Sequence, residues 1–233
     1  MKLKPLTLDW LADEMEAGRR YSFSRWGDGE WAAMLGDYGP NADGVNLSEK
    51  MGRALREVVG RQRPYLHGML PVALRVYGEQ IEEYWQEQEL WRDCWYQGEV
   101  LLEGMLTGNL LPLLNQLRQR RVLYVGPQYC RQVKQFLSLS GFVGVHGSEA
   151  FDDRARILTS VLMAIGGLDI EVVCYSAGPA SNWLIAEIYE VVEGKVWQLD
   201  FGSMWDGFFG VSSRSYIKNG GINWEALADV YKY

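Results

Sequence analysis

Histidine and cysteine are scarce in this 233-residue chain, which holds two of the first, His67 and His146, and three of the second, Cys94, Cys130 and Cys174. So few histidines leave little material for a Ser-His or Cys-His nucleophilic device, and no GxSxG elbow accompanies them. Three widely spaced cysteines in apolar segments exclude a disulfide framework and a zinc site, and point to a reducing cytoplasm. No apolar run reaches the ~18 residues of a membrane span. The opening MKLKPLTLDWLADEME acquires acids too soon for a signal peptide. Neither GxxxxGK[ST] nor GxGxxG occurs, which speaks against a P-loop and against a dinucleotide site. Positive charge is in deficit as well. A net charge of -7 opposes nucleic-acid binding by counterion release, and Arg61, Arg63, Arg118, Arg120 and Arg121 read as solvated helix ends.

What the chain does have is a large apolar fraction, 48%, with ten tryptophans and 23% charged residues. That composition belongs to a globular chain, and the length suits one domain spanning 1–233. No internal repeat or low-complexity linker divides it. Thr7 caps an amphipathic helix through Leu8, Leu11 and Met15, and Arg20–Trp26 then alternates with strand period. A second helix is expected from near Trp31 to Gly36, another from Ser48 to Gly60, and a short strand over Pro64–Leu70 with His67 at its end. Val72–Gln119 is rich in Trp, Glu and Gln without strand alternation and reads as a helical insertion, with Trp85, Trp91 and Trp95 as core anchors.

Past Arg121 the texture becomes strand, loop and helix in repetition. VLYVG (Val122–Gly126) leads into Pro127 and a helix through Val133, Phe136 and Leu137. FVGVHG reads as a strand, and Asp152 and Asp153 suit the start of the next helix. Ile170–Val192 gives a buried strand, the small-residue turn Ser176–Ser181 and an amphipathic helix, and KVWQLD ends a further strand near Asp200. This alternation predicts an α/β fold, a Rossmann-like, mostly parallel sheet flanked by helices. Ligands bind outside the carboxyl ends of such strands, where the loops after Trp26, Gly126, Ser176 and Asp200 converge.

One of those loops stands out. In YSFSRWGDGEW, Asp28 and Glu30 flank a single glycine after a strand, and an Asp-x-Glu loop can turn two carboxylates toward one hard cation, Mg²⁺ or Mn²⁺. Gly27 and Gly29 would leave room for a diphosphate, and Arg25 offers it a planar donor fork. The plain alternative is a turn in which Glu30 only caps the next helix. Ser176, Gly178 and Gly126 border turns suited to phosphate oxygens at a helix start, or to ordinary strand-to-helix connections. Asp200 and Asp206 are placed to hold a hydroxyl, assist the metal or act as a base; a turn cap and a solvated loop residue are their bland counterparts.

SFSRWGDGEW resembles the signature of the GT-D type glycosyltransferases, once known only as a domain of unknown function: Arg25, Trp26, Gly27, Asp28, Gly29 and Glu30 match it in order. VLYVGP, the SAGPAS turn and QLDFGSMWD resemble further family segments in the expected sequence. The resemblance implies a Rossmann-like glycosyltransferase fold, a nucleoside-diphosphate-sugar donor, and a divalent metal held by Asp28 and Glu30. The leading expectation is a cytoplasmic hexosyltransferase using a UDP-linked donor and a glycan, glycoprotein or other hydroxyl acceptor. The alternatives are a nucleotide-dependent phosphotransferase or hydrolase on the same acidic loop, and a non-catalytic nucleotide-binding module.

Overall fold

The structure, a computed structural model, describes residues 2–41, 44–90, 93–219 and 221–232. The chain opens with helix α1 (Leu8–Glu16), whose first turn is capped by the Thr7 hydroxyl accepting from the Trp10 N–H at 3.2 Å. Strand β1 (Ser22–Trp26) follows, then α2 (Asp28–Leu35), a two-stranded hairpin of β2 (Gly39–Pro40) and β3 (Asn46–Leu47), and α3 (Glu49–Gly60). Next come β4 (Leu66–Met69), α4 (Pro71–Glu87), β5 (Trp95–Gln97), α5 (Val100–Thr107) and α6 (Leu111–Arg118). The second half holds β6 (Val122–Gly126), β7 (Leu139–Gly144), α7 (Arg154–Leu168), β8 (Val172–Tyr175), α8 (Pro179–Val191), β9 (Trp197–Asp200), α9 (Ser215–Asn219) and α10 (Trp224–Tyr231).

Seven strands form one sheet in the order β5-β4-β1-β9-β8-β6-β7, and every pairing in it is parallel. This is the α/β, Rossmann-like sheet that the alternation predicts. Both faces carry a core, as a parallel sheet requires. One core joins Trp26, Trp31, Trp85 and Trp95 to the apolar stripes of α2, α3, α4, α7 and α8. The other joins Phe23, Tyr124 and Leu199 to α1, α5, α6 and α10. Within the first, α2 and α3 come so close at Gly52 that a Cβ there would lie 2.0 Å from the Ala33 carbonyl oxygen.

Several local expectations change. The Val72–Gln119 segment contains a strand: Trp95–Gln97 pairs with β4 through His67↔Trp95, Gly68↔Tyr96 and Met69↔Gln97 and forms one edge of the sheet. Trp85 and Trp95 are both buried core residues, while Trp91 lies outside the described residues. His67 sits inside β4 and is buried, not at a strand end. The helix after Pro127 is a 3₁₀ helix, Gln128–Gln135. The arginines that cluster in sequence are spent on the fold: Arg61 and Arg63 pair with Glu187 and Glu190, and Arg118 and Arg120 donate to backbone carbonyls.

Candidate functional site

Helix α2 begins at Asp28, three residues before the expected start, so Asp28 and Glu30 occupy its first turn instead of a loop. Gly27 is the N-cap, in extended conformation, and the Glu30 carboxylate folds back to accept the Gly27 N–H at 2.8 Å. Two acids in a first turn complement the helix dipole and its unpaired N–H groups. Two residues along a helix turn the chain by ~200°. Asp28 accordingly faces solvent while Glu30 is partly buried.

Glu30, just after β1, and Asp200, at the end of the neighbouring strand β9, act on one another electrostatically. Burial, reinforced by Asp200's negative charge, pushes the Glu30 carboxyl up to about 7, with the Gly27 N–H and the Arg214 guanidinium opposing. Asp200 ends β9 and is buried, which raises it to about 6 against Arg25, the Gly202 N–H and the Ser181 hydroxyl. Two carboxyls and two guanidiniums are therefore brought together at the carboxyl edge of the sheet. Arg25 donates through Nη1 to the Phe201 carbonyl at 2.8 Å, and its buried Nε has no hydrogen-bond partner among the described residues. An orphaned donor of that kind costs ~1–3 kcal/mol.

The turn after β9 is shaped for this arginine. Gly202 has φ +54°, and a Cβ there would lie 2.3 Å from Arg25 Nη1. Its N–H donates to Asp200 Oδ1 at 3.0 Å, and its carbonyl accepts from the Ser176 hydroxyl at 2.5 Å. Ser176 also hydrogen-bonds the Tyr124 hydroxyl at 2.7 Å, and a Cβ on Gly126 would come 3.3 Å from its Cβ. The loops after β6, β8 and β9 thus interlock. Gly178 is the N-cap of α8 at φ +55°, exposed, with Pro179 at the first helical position.

Asp206 is placed differently. It is buried rather than solvated, and its two oxygens accept from the Tyr129 hydroxyl at 3.0 Å and from the Ser213 hydroxyl. With its oxygens so engaged, Asp206 fastens the segment around residues 211–214 onto the β9 loop. Arg214 donates to Ser203 Oγ at 3.0 Å in the same lacing and reaches the field of Glu30. Sequence reading passes over Arg214, because SSRSY carries no motif and the loop contact that aims it is tertiary. His146 is exposed beside Ser148 and Glu149.

The donor set fits a hard divalent cation. Mg²⁺-type ions take one or two carboxylates and complete their shell with phosphate oxygens and water; Asp28 and Glu30 lie on opposite sides of the first turn of α2, Glu30 engaged by the Gly27 N–H, so this arrangement offers an ion one carboxylate at a time. No cluster of three or more His, Cys, Asp or Glu side chains arranged for a metal occurs among the described residues. No described helix is long and apolar enough to cross a membrane.

No protein-family model matches the chain, and no curated protein matches it in sequence. Two solved structures do superpose on it, each covering 95% of this chain and 90% of its own, with a TM-score of 0.62 and 16% identity. One is a selenomethionine-substituted structure of domain of unknown function 1792. The other presents that highly conserved domain as having "a distinct glycosyltransferase fold". At this identity the likeness establishes the fold, and the fold is the one that SFSRWGDGEW implies by resemblance.

Proposed function

We propose that the chain is a metal-dependent glycosyltransferase that moves a hexose from a nucleoside-diphosphate sugar, UDP-linked, to a hydroxyl of a glycan, glycoprotein or other acceptor. The observation that carries this reading is the meeting of Glu30 and Asp200 with Arg25 and Arg214 at the carboxyl edge of the sheet, on a glycosyltransferase fold. Asp28 and Glu30 would hold Mn²⁺ or Mg²⁺, which when bound neutralises charge on the departing diphosphate as a Lewis acid.

The chain's own groups supply the rest. Arg25, beside Asp200, and Arg214, whose charge acts on Glu30, are the two guanidiniums at hand for the phosphate charge. The turn from Ser176 through Gly178 opens α8, whose first N–H groups suit phosphate; Gly27, Gly29 and Gly126 present no side chain to the approach. Asp200 takes the proton from the acceptor hydroxyl as that oxygen bonds the anomeric carbon and the bond from that carbon to the diphosphate breaks. Asp206 holds the β9 loop in register through Tyr129 and Ser213. A cytoplasmic location goes with this reading, the three cysteines being buried and widely spaced along the chain.

Product analysis tests it. With UDP-hexose, Mn²⁺ and an acceptor panel, mass spectrometry is expected to find UDP and a hexose-sized mass gain on the acceptor. Free phosphate or a phosphorylated acceptor would replace this reading with phosphoryl transfer.

A further inference from the structure

A second opening lies on the same edge of the sheet, between β4 and β5. The chain leaves Met69 into α4, which packs on one face, and leaves Gln97 into α5, which packs on the other. Where two neighbouring parallel strands send their connections to opposite faces, the space between the connections is left unfilled. Here it is a cleft of about 310 Å³. Its apolar wall includes Leu3, Leu6, Met69 and Leu74, and its polar rim includes Gln97, Glu99 and Glu103.

Charge narrows what fits. Glu99 and Glu103 repel one another across one turn of α5, and Arg25 and Arg75 both act on Glu99 with the opposite sign. Both charged side chains in the lining are acidic, Glu99 and Glu103, and Arg25 and Arg75 act on Glu99 from outside it. An anion is repelled by the rim carboxylates, and a small cation gains nothing from the leucine and methionine wall that makes up the rest of the cleft. A neutral ring that lays an apolar face on Leu74 and Met69 and turns hydroxyls to Gln97, Glu99 and Glu103 satisfies both walls. Arg25 is shared: its charge acts on Asp200 at the β1–β9 crevice and on Glu99 at this one.

We infer that the β4–β5 cleft is the acceptor subsite and takes a neutral saccharide ring, its reacting hydroxyl directed past Arg25 toward Asp200. This rests on the glycosyltransferase reading for the word acceptor, while the saccharide-binding cleft stands on its own geometry. The test is a ¹H–¹³C methyl titration of the Leu/Met-labelled chain with methyl glycosides of glucose, galactose and N-acetylglucosamine, with inorganic phosphate and putrescine as charged controls. Methyl resonances of Leu3, Leu6, Met69 and Leu74 are expected to move with at least one glycoside and with neither control. Leu74→Trp, which fills the cleft, and the milder Glu103→Gln are expected to weaken that response at least tenfold and threefold. Unmoved cleft methyls, or equal movement with phosphate or putrescine, would overturn the assignment. UDP release from UDP-hexose by the wild type, measured separately, keeps the two readings apart: turnover with unmoved methyls fails the cleft alone, and moved methyls without turnover on any donor fail the transferase alone.

Discussion

Acidification from pH 7 toward 4.5 brings protons to a histidine that the fold holds neutral. His67 is 2% exposed, and its Nδ1 lies 3.1 Å from the Trp26 indole nitrogen. An indole N–H only donates; this one is shared between Ser24 Oγ at 2.9 Å and His67 Nδ1, which accepts it through a bare lone pair. The ring is wedged between Tyr65, centroids 4.4 Å apart, and Trp95 at 4.9 Å. Burial drives its pKa from 6.5 to about 3, against a hydrogen bond with the Arg63 backbone. Between those values the unfolded chain binds a proton that the native chain refuses. Stability is therefore complete above pH 6.5 and falls as pH drops, by about 1.4 kcal/mol per pH unit. Between pH 6.5 and 4.5 the loss from this one residue is roughly 3 kcal/mol, a large share of the 5–15 kcal/mol typical of a domain. Carboxylates titrate in the same range, so urea unfolding of wild type is compared with His67→Gln, which loses the ring's packing at every pH but removes this one titrating group and keeps the carboxylates. The stability gap between them is expected to narrow with that slope below pH 6.5. Parallel curves, or an NMR titration placing His67 near 6.5, would refute the reasoning.

Two further outcomes follow from the β9 turn. Gly202→Ala adds a Cβ against Arg25 at a left-handed φ and is expected to cost ~1–3 kcal/mol in urea unfolding while weakening UDP binding by calorimetry. Asp200→Asn is expected to lower kcat by about 10²–10⁴ with donor affinity little changed, measured by steady-state kinetics and UDP-hexose titration.

Much of the frame is legible in local pattern. VLYVG reads as Val122–Gly126 and is that strand, and the side-chain alternation of Arg20–Trp26 finds β1 at Ser22–Trp26, although the sheet buries β6 throughout and β1 at every position but Arg25. Trp95–Gln97 is hidden by its brevity and by helical sequence on both sides; its pairing with β4 is a tertiary event. The Asp-Gly-Glu segment reads as a loop since glycine and aspartate signal turns. Yet Gly27 sits outside the helix as its cap and Glu30 supplies the cap bond, so the acids begin α2. Arg25, Glu30 and Asp200 could be named from the sequence, but their meeting depends on β1 lying beside β9. Asp206 and Arg214 belong to a lacing of side chains between loops, which has no periodicity to read.

The most direct measurement for the central claim is a thermal-shift panel of UDP-, GDP-, CMP- and dTDP-sugars, with and without Mn²⁺. A ligand at 100 times its Kd stabilises the native chain by about 2.7 kcal/mol, a shift readily seen. Asp28 is exposed and its side chain is not needed to cap α2, so Asp28→Ala perturbs the site with little effect on the fold. The account predicts a rise in Tm with UDP-sugar that requires Mn²⁺ and is lost in Asp28→Ala and Glu30→Ala. A panel with no response under either condition, or a Mn²⁺-dependent rise that persists in both variants, would contradict it.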